Sequence, residues 1–123
     1  MRSVRMSLVS HALAAAAVVV LSTIAACAGA AGPNSQDVGA PCSADSQCED
    51  RCFKSADFGD GMCSVNCRVD QDCLDGASCL QTGGGICAVE CKAPADCSGF
   101  GPTWTCGAED HIGSGQVLVC RVR

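Results

Sequence analysis

Twelve cysteines between Cys42 and Cys120 repeat one spacing three times, and this constrains the fold more than any other feature of the chain. Each copy opens with Cys-x5-Cys, at Cys42 and Cys48, at Cys67 and Cys73, and at Cys91 and Cys97. A third cysteine follows (Cys52, Cys79, Cys106) and then a fourth (Cys63, Cys87, Cys120). Cys-x3-Cys joins the copies, from Cys63 to Cys67 and from Cys87 to Cys91. Large apolar residues are sparse between them: Phe53, Phe58, Leu74, Leu80, Ile86, Phe100, Trp104, Ile112 and the run Val117 to Val119. Burying so few side chains cannot offset the entropy of ordering about a hundred residues, so covalent bridges must stand in for a core. Such a scaffold forms only in an oxidising compartment. The chain holds thirteen cysteines, and setting aside Cys27, which precedes the lattice, leaves enough for six bridges without remainder.

Residues 1–26 have the pattern of a secretory signal. Arg2 and Arg5 form a basic start, and a mostly Ala/Val/Leu stretch runs from Leu8 to Leu21 and ends in small residues. Ile24-Ala25-Ala26-Cys27 then resembles the lipobox of bacterial lipoproteins. The resemblance implies that Cys27 is alkylated with diacylglycerol, that the signal is cut before it, and that the membrane is reached through this anchor. The competing expectation is ordinary cleavage after Ala28-Gly29-Ala30, which would discard Cys27 and release a free secreted domain. Residues 27–41 comprise the anchor and a stretch from Ala28 to Ala40, small and glycine-rich, that reads as a flexible tether.

The cysteine-rich domain, 42–123, divides into repeats at about 42–66, 67–90 and 91–123. The first half of each is a compact turn between the paired cysteines. Asp45 and Asp70 are expected to hold it by accepting backbone N–H groups two residues on. The second half reads as a short β-hairpin: Arg51 to Ser55 with Met62 to Asn66, Ala77 to Gln81 with Ile86 to Glu90, and Thr103 to Cys106 with Gln116 to Val122. The last pair flanks a long loop, Gly107 to Gly115. The fold class is thus a small disulfide-rich protein of three tandem four-cysteine repeats with little helix.

Four cysteines per repeat permit three local pairings, which spacing alone does not decide. Pairing first to third and second to fourth is favoured because it ties the turn to the hairpin: Cys42 with Cys52, Cys48 with Cys63, Cys67 with Cys79, Cys73 with Cys87, Cys91 with Cys106, and Cys97 with Cys120. Cys-x2-Asp-x-Gln/Asp-Cys followed closely by a third cysteine is similar to the opening of Dickkopf, colipase and prokineticin cysteine modules. In the latter two this opening pairs in the same interlocked sense. The adjacent Cys-Cys pair of that family is absent and Lys92-Ala93-Pro94 replaces the usual Asp in the third copy, so no signalling or lipase-cofactor activity carries over. Over its whole length the chain resembles the small cysteine-rich lipoproteins abundant in myxobacteria, which have a lipobox, a polar linker and tandem four-cysteine repeats. That resemblance implies architecture and an envelope location, the outer membrane first, without a mechanism.

Charge and motifs narrow the function further. All thirteen carboxylates lie after position 36, against six basic residues there, for a net of about −7. Such a surface repels phosphate backbones, and nucleic acid is excluded as a partner. The Cys-x3-Cys pairs could ligate zinc, but an exported chain with no Cys-x2-Cys favours bridges, and no redox Cys-x-x-Cys exists. Asp70, Asp72 and Asp75 lack the glycine and distant glutamate of a calcium loop and read as turn-forming residues. His111, flanked by Asp110 and near Ser114, reads as an exposed loop histidine and not part of a triad. Gly83-Gly84-Gly85 and Gly99-Phe100-Gly101 are turn glycines, with no phosphate-loop sequence around them. No cofactor, metal site or catalytic constellation is expected, so the chain does not read as an enzyme. The expected contact surface is the third repeat, with Phe100, Trp104 and His111 as its residues, and an extracytoplasmic protein or glycan as its partner. Trp104 itself reads either as a core plug or as an exposed contact beside Phe100. The expected function is an exported, lipid-anchored binding or structural module of the envelope. The alternative is a secreted inhibitor of a protease or other hydrolase, with Ser98 to Thr105 as its loop.

Overall fold

A computed structural model describes residues 29–123. The signal (1–26) and the lipidation position Cys27 lie outside the described residues. Six strands form three two-stranded antiparallel sheets: β1 (Arg51–Phe53) with β2 (Met62–Ser64), β3 (Ala77–Leu80) with β4 (Ile86–Val89), and β5 (Trp104–Asp110) with β6 (Gln116–Val122). Short 3₁₀ turns fill the rest, at Asp45–Gln47, Ala56–Phe58, Asp70–Asp72, Thr82–Gly84 and Pro94–Phe100. Among the described residues no helix is long and apolar enough to cross a membrane.

The six bridges are Cys42–Cys52, Cys48–Cys63, Cys67–Cys79, Cys73–Cys87, Cys91–Cys106 and Cys97–Cys120, with Cα separations between 5.3 and 5.9 Å. In every hairpin the third and fourth cysteines sit directly opposite each other: Cys52 faces Cys63, Cys79 faces Cys87 and Cys106 faces Cys120. Opposed residues point to the same face of a sheet. Each pair therefore presents two sulfurs side by side, and the 3₁₀ turn brings its own two cysteines down onto them. Bridges of this kind contribute about 2–4 kcal/mol each by restricting the unfolded chain.

One further pairing recurs. The residue before the first cysteine of each repeat forms an isolated bridge with the residue before the fourth: Pro41 with Met62, Asn66 with Ile86, and Glu90 with Val119. Beside these bridges, the N–H of the first cysteine donates to the carbonyl two residues before the fourth, from Cys42 to Gly61, Cys67 to Gly85 and Cys91 to Leu118, each at 3.1 Å. The chain leaving one hairpin thus becomes a short third strand of the next, and the repeats are fused. They share their apolar interior as well. Phe58 and Met62 from the first repeat, Leu80, Ile86 and Ala88 from the second, and Val119 from the third are all fully buried in one cluster.

Two sequence expectations require correction here. The stretch up to Ala40 is not a free tether over its whole length. Gly32 donates to the Val38 carbonyl at 2.9 Å, Ala40 to that of Ser35 at 2.8 Å and Gly39 to that of Cys63 at 2.9 Å, while Val38 is fully buried. Ala31 donates to the Asp75 carbonyl at 3.1 Å. Residues 31–40 form a strap closed on itself and latched to two repeats. The long third loop is also shorter than expected, because β5 continues through Glu109 and Asp110. Gln81 donates to the Asp110 carbonyl at 3.0 Å and Ile112 to that of Cys79 at 2.9 Å, so the second repeat holds the polar end of this hairpin in strand. Tertiary pairing overrides local propensity there.

Candidate functional site

The turn between the first and second cysteines of each repeat is stabilised by one device used three times. The residue before the second cysteine reaches back and accepts N–H groups at the turn's entry. Gln47 Oε1 takes Ser43 and Ala44 at 2.6 and 3.2 Å, Asp72 Oδ2 takes Arg68 and Val69 at 2.8 and 3.3 Å, and Asp96 Oδ2 takes Lys92 and Ala93 at 2.8 and 3.0 Å. The Lys92 and then the Ala93 N–H hold the Asp96 carboxyl below its ordinary value. Asp45 and Asp70 do something other than the expected local turn. Their Oδ1 atoms accept the N–H of the third cysteine, Cys52 at 2.9 Å and Cys79 at 2.8 Å, and so tie the turn to the hairpin. Pro94 occupies that position in the third repeat, and the turn there lengthens into Pro94–Phe100.

All four aromatic residues of the chain meet in one run. Phe53 meets Phe58 edge-on at 5.9 Å, Phe58 meets Trp104 tilted at 6.5 Å, and Trp104 stacks on Phe100 at 4.9 Å. Phe58 is buried and Trp104 and Phe100 are half-buried. Trp104 is therefore neither purely core nor purely surface: packing holds the ring while part of it stays open. Beside it lies a cleft of about 350 Å³ between the first and third repeats, lined by Pro41, Phe58, Asp60, Thr103, Trp104 and Val122 among others. Asp60 is the one charged residue in this lining, so the cleft offers an apolar floor with a single carboxylate. That combination fits an apolar or aromatic group carrying a hydrogen-bond donor or positive charge.

His111 is not part of this cleft. It follows the end of β5, seven residues from Trp104, which at about 3.3 Å per residue places it roughly 23 Å away. Nor is it a free loop histidine. Its Nε2 lies 2.9 Å from both carboxylate oxygens of Asp70, joining the third repeat to the second. The hydrogen bond to Asp70 is the main cause raising the His111 pKa above 6.5, opposed by partial burial and helped by the charges of Asp70 and Glu90. Asp70 is held below 3.8, first by the Cys79 N–H and also by His111. The expected trio of Phe100, Trp104 and His111 thus separates into an aromatic pair and a structural clasp.

A second polar node lies on the last hairpin. Arg121 pairs with Asp57 of the first repeat, and its Nη1 lies 2.9 Å from Glu109 Oε1, close but without hydrogen-bond alignment. Burial is the main influence raising the Glu109 pKa, with Arg121 opposing it. Within each repeat three sulfurs approach to within 4.8 Å, as in Cys42, Cys48 and Cys52. Each trio is one disulfide beside a sulfur of the other, and a disulfide sulfur is not the thiolate a zinc site uses.

Sequence reasoning missed Phe58 as a cleft residue, because it sits in the apparent loop ADFGDG, and missed the Asp70–His111 and Asp57–Arg121 contacts, which span repeats. The fold and its bridges define a small disulfide-rich protein. Comparison with family models, with curated proteins and with solved structures finds no match to this chain.

Proposed function

We propose that this protein is an exported, lipid-anchored module of the bacterial cell envelope, without catalytic activity, that acts by binding or as a structural display. The observation that carries the reading is the use of all twelve lattice cysteines in six bridges, which requires an oxidising compartment and leaves none of them as a thiol for redox or metal chemistry. The signal and the lipobox-like Ile24 to Cys27 support export and anchoring. A stapled scaffold supports the binding role, because a surface held rigid before contact loses little entropy on binding. The cleft beside Trp104 is the proposed contact surface, for an envelope protein or glycan.

The segment from Ser98 to Thr105 does not favour the inhibitor alternative. Ser98 to Phe100 lie in a 3₁₀ turn, Phe100 is stacked on Trp104, and Trp104 and Thr105 already belong to β5.

Fractionation of cells expressing the chain and its Cys27→Ser variant tests the anchor. The parent should partition with membranes and the variant with the soluble fraction; equal partition would overturn the anchored reading. A photo-cross-linking residue at exposed Thr103 should join a defined envelope component on intact cells, whereas the same residue at exposed Gln71 should not. Identical capture from both positions would remove the cleft as the contact surface.

A further inference from the structure

We propose that the strap-bearing face of this protein rests directly on the headgroup surface of the membrane carrying its own anchor. This rests on the reading of Cys27 as the lipidated N-terminus. The chain belongs to the folded body from Ala31 onward, through the Ala31 to Asp75 and Gly32 to Val38 hydrogen bonds. Four residue steps separate Cys27 from Ala31, and a fully extended chain covers at most about 3.3–3.6 Å per residue, roughly 14 Å in all. A headgroup layer takes up about 5–7 Å of that. The strap is therefore held within several ångströms of the headgroups, too close for the body to turn freely.

The composition of this face selects the surface it fits. Pro33, Asn34, Ser35 and Gln36 are small or polar and uncharged, and they line a concavity of about 540 Å³ together with Asp37 and Glu49. No Lys or Arg occurs between positions 6 and 50. The strap and the concavity it lines thus lack the basic residues that bind anionic lipids. Its two carboxylates favour the ammonium groups of zwitterionic headgroups.

Trp104 is the single tryptophan and a natural reporter of height. Pro33 packs on Gly99, where an added Cβ would meet Pro33 Cγ at 2.9 Å, and Gly99 precedes the Phe100 that stacks on Trp104. The experiment places the full lipidated chain in zwitterionic vesicles and measures energy transfer from Trp104 to a dansyl-labelled lipid headgroup. The comparison is a variant with twenty Gly/Ser residues inserted between Ala30 and Ala31, which adds a root-mean-square reach of about 25 Å. Transfer should be strong in the parent and fall several-fold in the variant. It should also fall in the parent when a third of the lipid is made anionic at low salt. Equal transfer in parent and variant, both lipidated and floating with the vesicles, would overturn the docking alone. A parent that carries no diacylglycerol and does not float would overturn the anchor reading and the docking with it. Slow hydrogen exchange at the Gly39 and Ala40 amides tests the strap independently of any lipid, and fast exchange there would overturn the docking whatever the state of Cys27.

Discussion

The carboxylates of the first half-repeats show how few atoms set the shape of each turn. Asp72 satisfies two backbone donors that nothing else in the turn reaches, so Asp72→Ala should cost about 1 kcal/mol, as loss of a helix cap does. Thermal unfolding with the bridges intact would measure it, and Asp72→Asn, which keeps one acceptor, should lose less. Asp70 and His111 give a pH dependence whose sign follows from the directions of their shifts. The folded His111 pKa is raised above 6.5, so its contribution is fully present below 6.5 and is lost as pH rises through the raised value. The folded Asp70 pKa is lowered below 3.8, so its contribution is present above 3.8 and is lost as pH falls through the lowered value. The clasp is strongest in mildly acid solution, between those limits. An NMR titration of the His111 ring should give a midpoint above 6.5, and Asp70→Asn, which keeps an acceptor for the Cys79 N–H, should bring it down. A midpoint unmoved by Asp70→Asn would show that the contact carries no charge interaction.

At the scale of elements, much was legible from spacing, and what was not has a physical reason. Strand positions in the first two hairpins are legible from the glycine-containing turns between them, whereas the facing of the third and fourth cysteines is seen only in the strand register. Glu109 and Asp110 misled, because two carboxylates read as loop while the second repeat held them in β5. Of the site, Trp104 and Phe100 were visible as the aromatics of the third repeat. Phe58 was not visible as a partner of Trp104, nor Asp70 as the partner of His111, since contacts between repeats leave no mark in spacing. The strap has a signal in the spacing. Val38 precedes Cys42 by the interval that separates Cys63 from Cys67 and Cys87 from Cys91, so it stands where a preceding repeat would place its fourth cysteine. Its burial and the Cys63 to Ala40 hydrogen bond, which matches Cys87 to Val65, follow from that register. Gly39 makes the closure possible, with a φ of +124° and a Gly32 oxygen 2.1 Å from where a Cβ would sit. Gly39→Ala should release the strap without disturbing the bridges, seen as fast exchange at the Ala40 amide and an unchanged disulfide map. Gly85 has the same constraint inside the lattice, where a Cβ would lie 2.1 Å from the Cys67 carbonyl oxygen, and Gly85→Ala should reduce the yield of correctly bridged protein on refolding.

Considered whole, the molecule is three fused repeats around a thin shared interior, and its bridges and its packing are not separable. Leu80 is fully buried among residues of all three repeats, so Leu80→Ala should cost about 2–5 kcal/mol with every disulfide still formed, read from thermal unfolding. A loss well under 1 kcal/mol would mean that the repeats fold as independent stapled units. The proposed role outside the cytoplasm depends on the same lattice, because only an oxidised chain holds the cleft, the clasp and the strap in place. The most direct measurement is an intact mass of the protein from its native host, taken after alkylation without reduction and again after reduction and alkylation. The expected result is a chain that begins at a diacylated Cys27, takes no alkyl group before reduction, and takes twelve afterwards. More than one alkyl group before reduction would mean free thiols beyond Cys27, and would contradict the disulfide lattice on which the fold and the proposed location both stand.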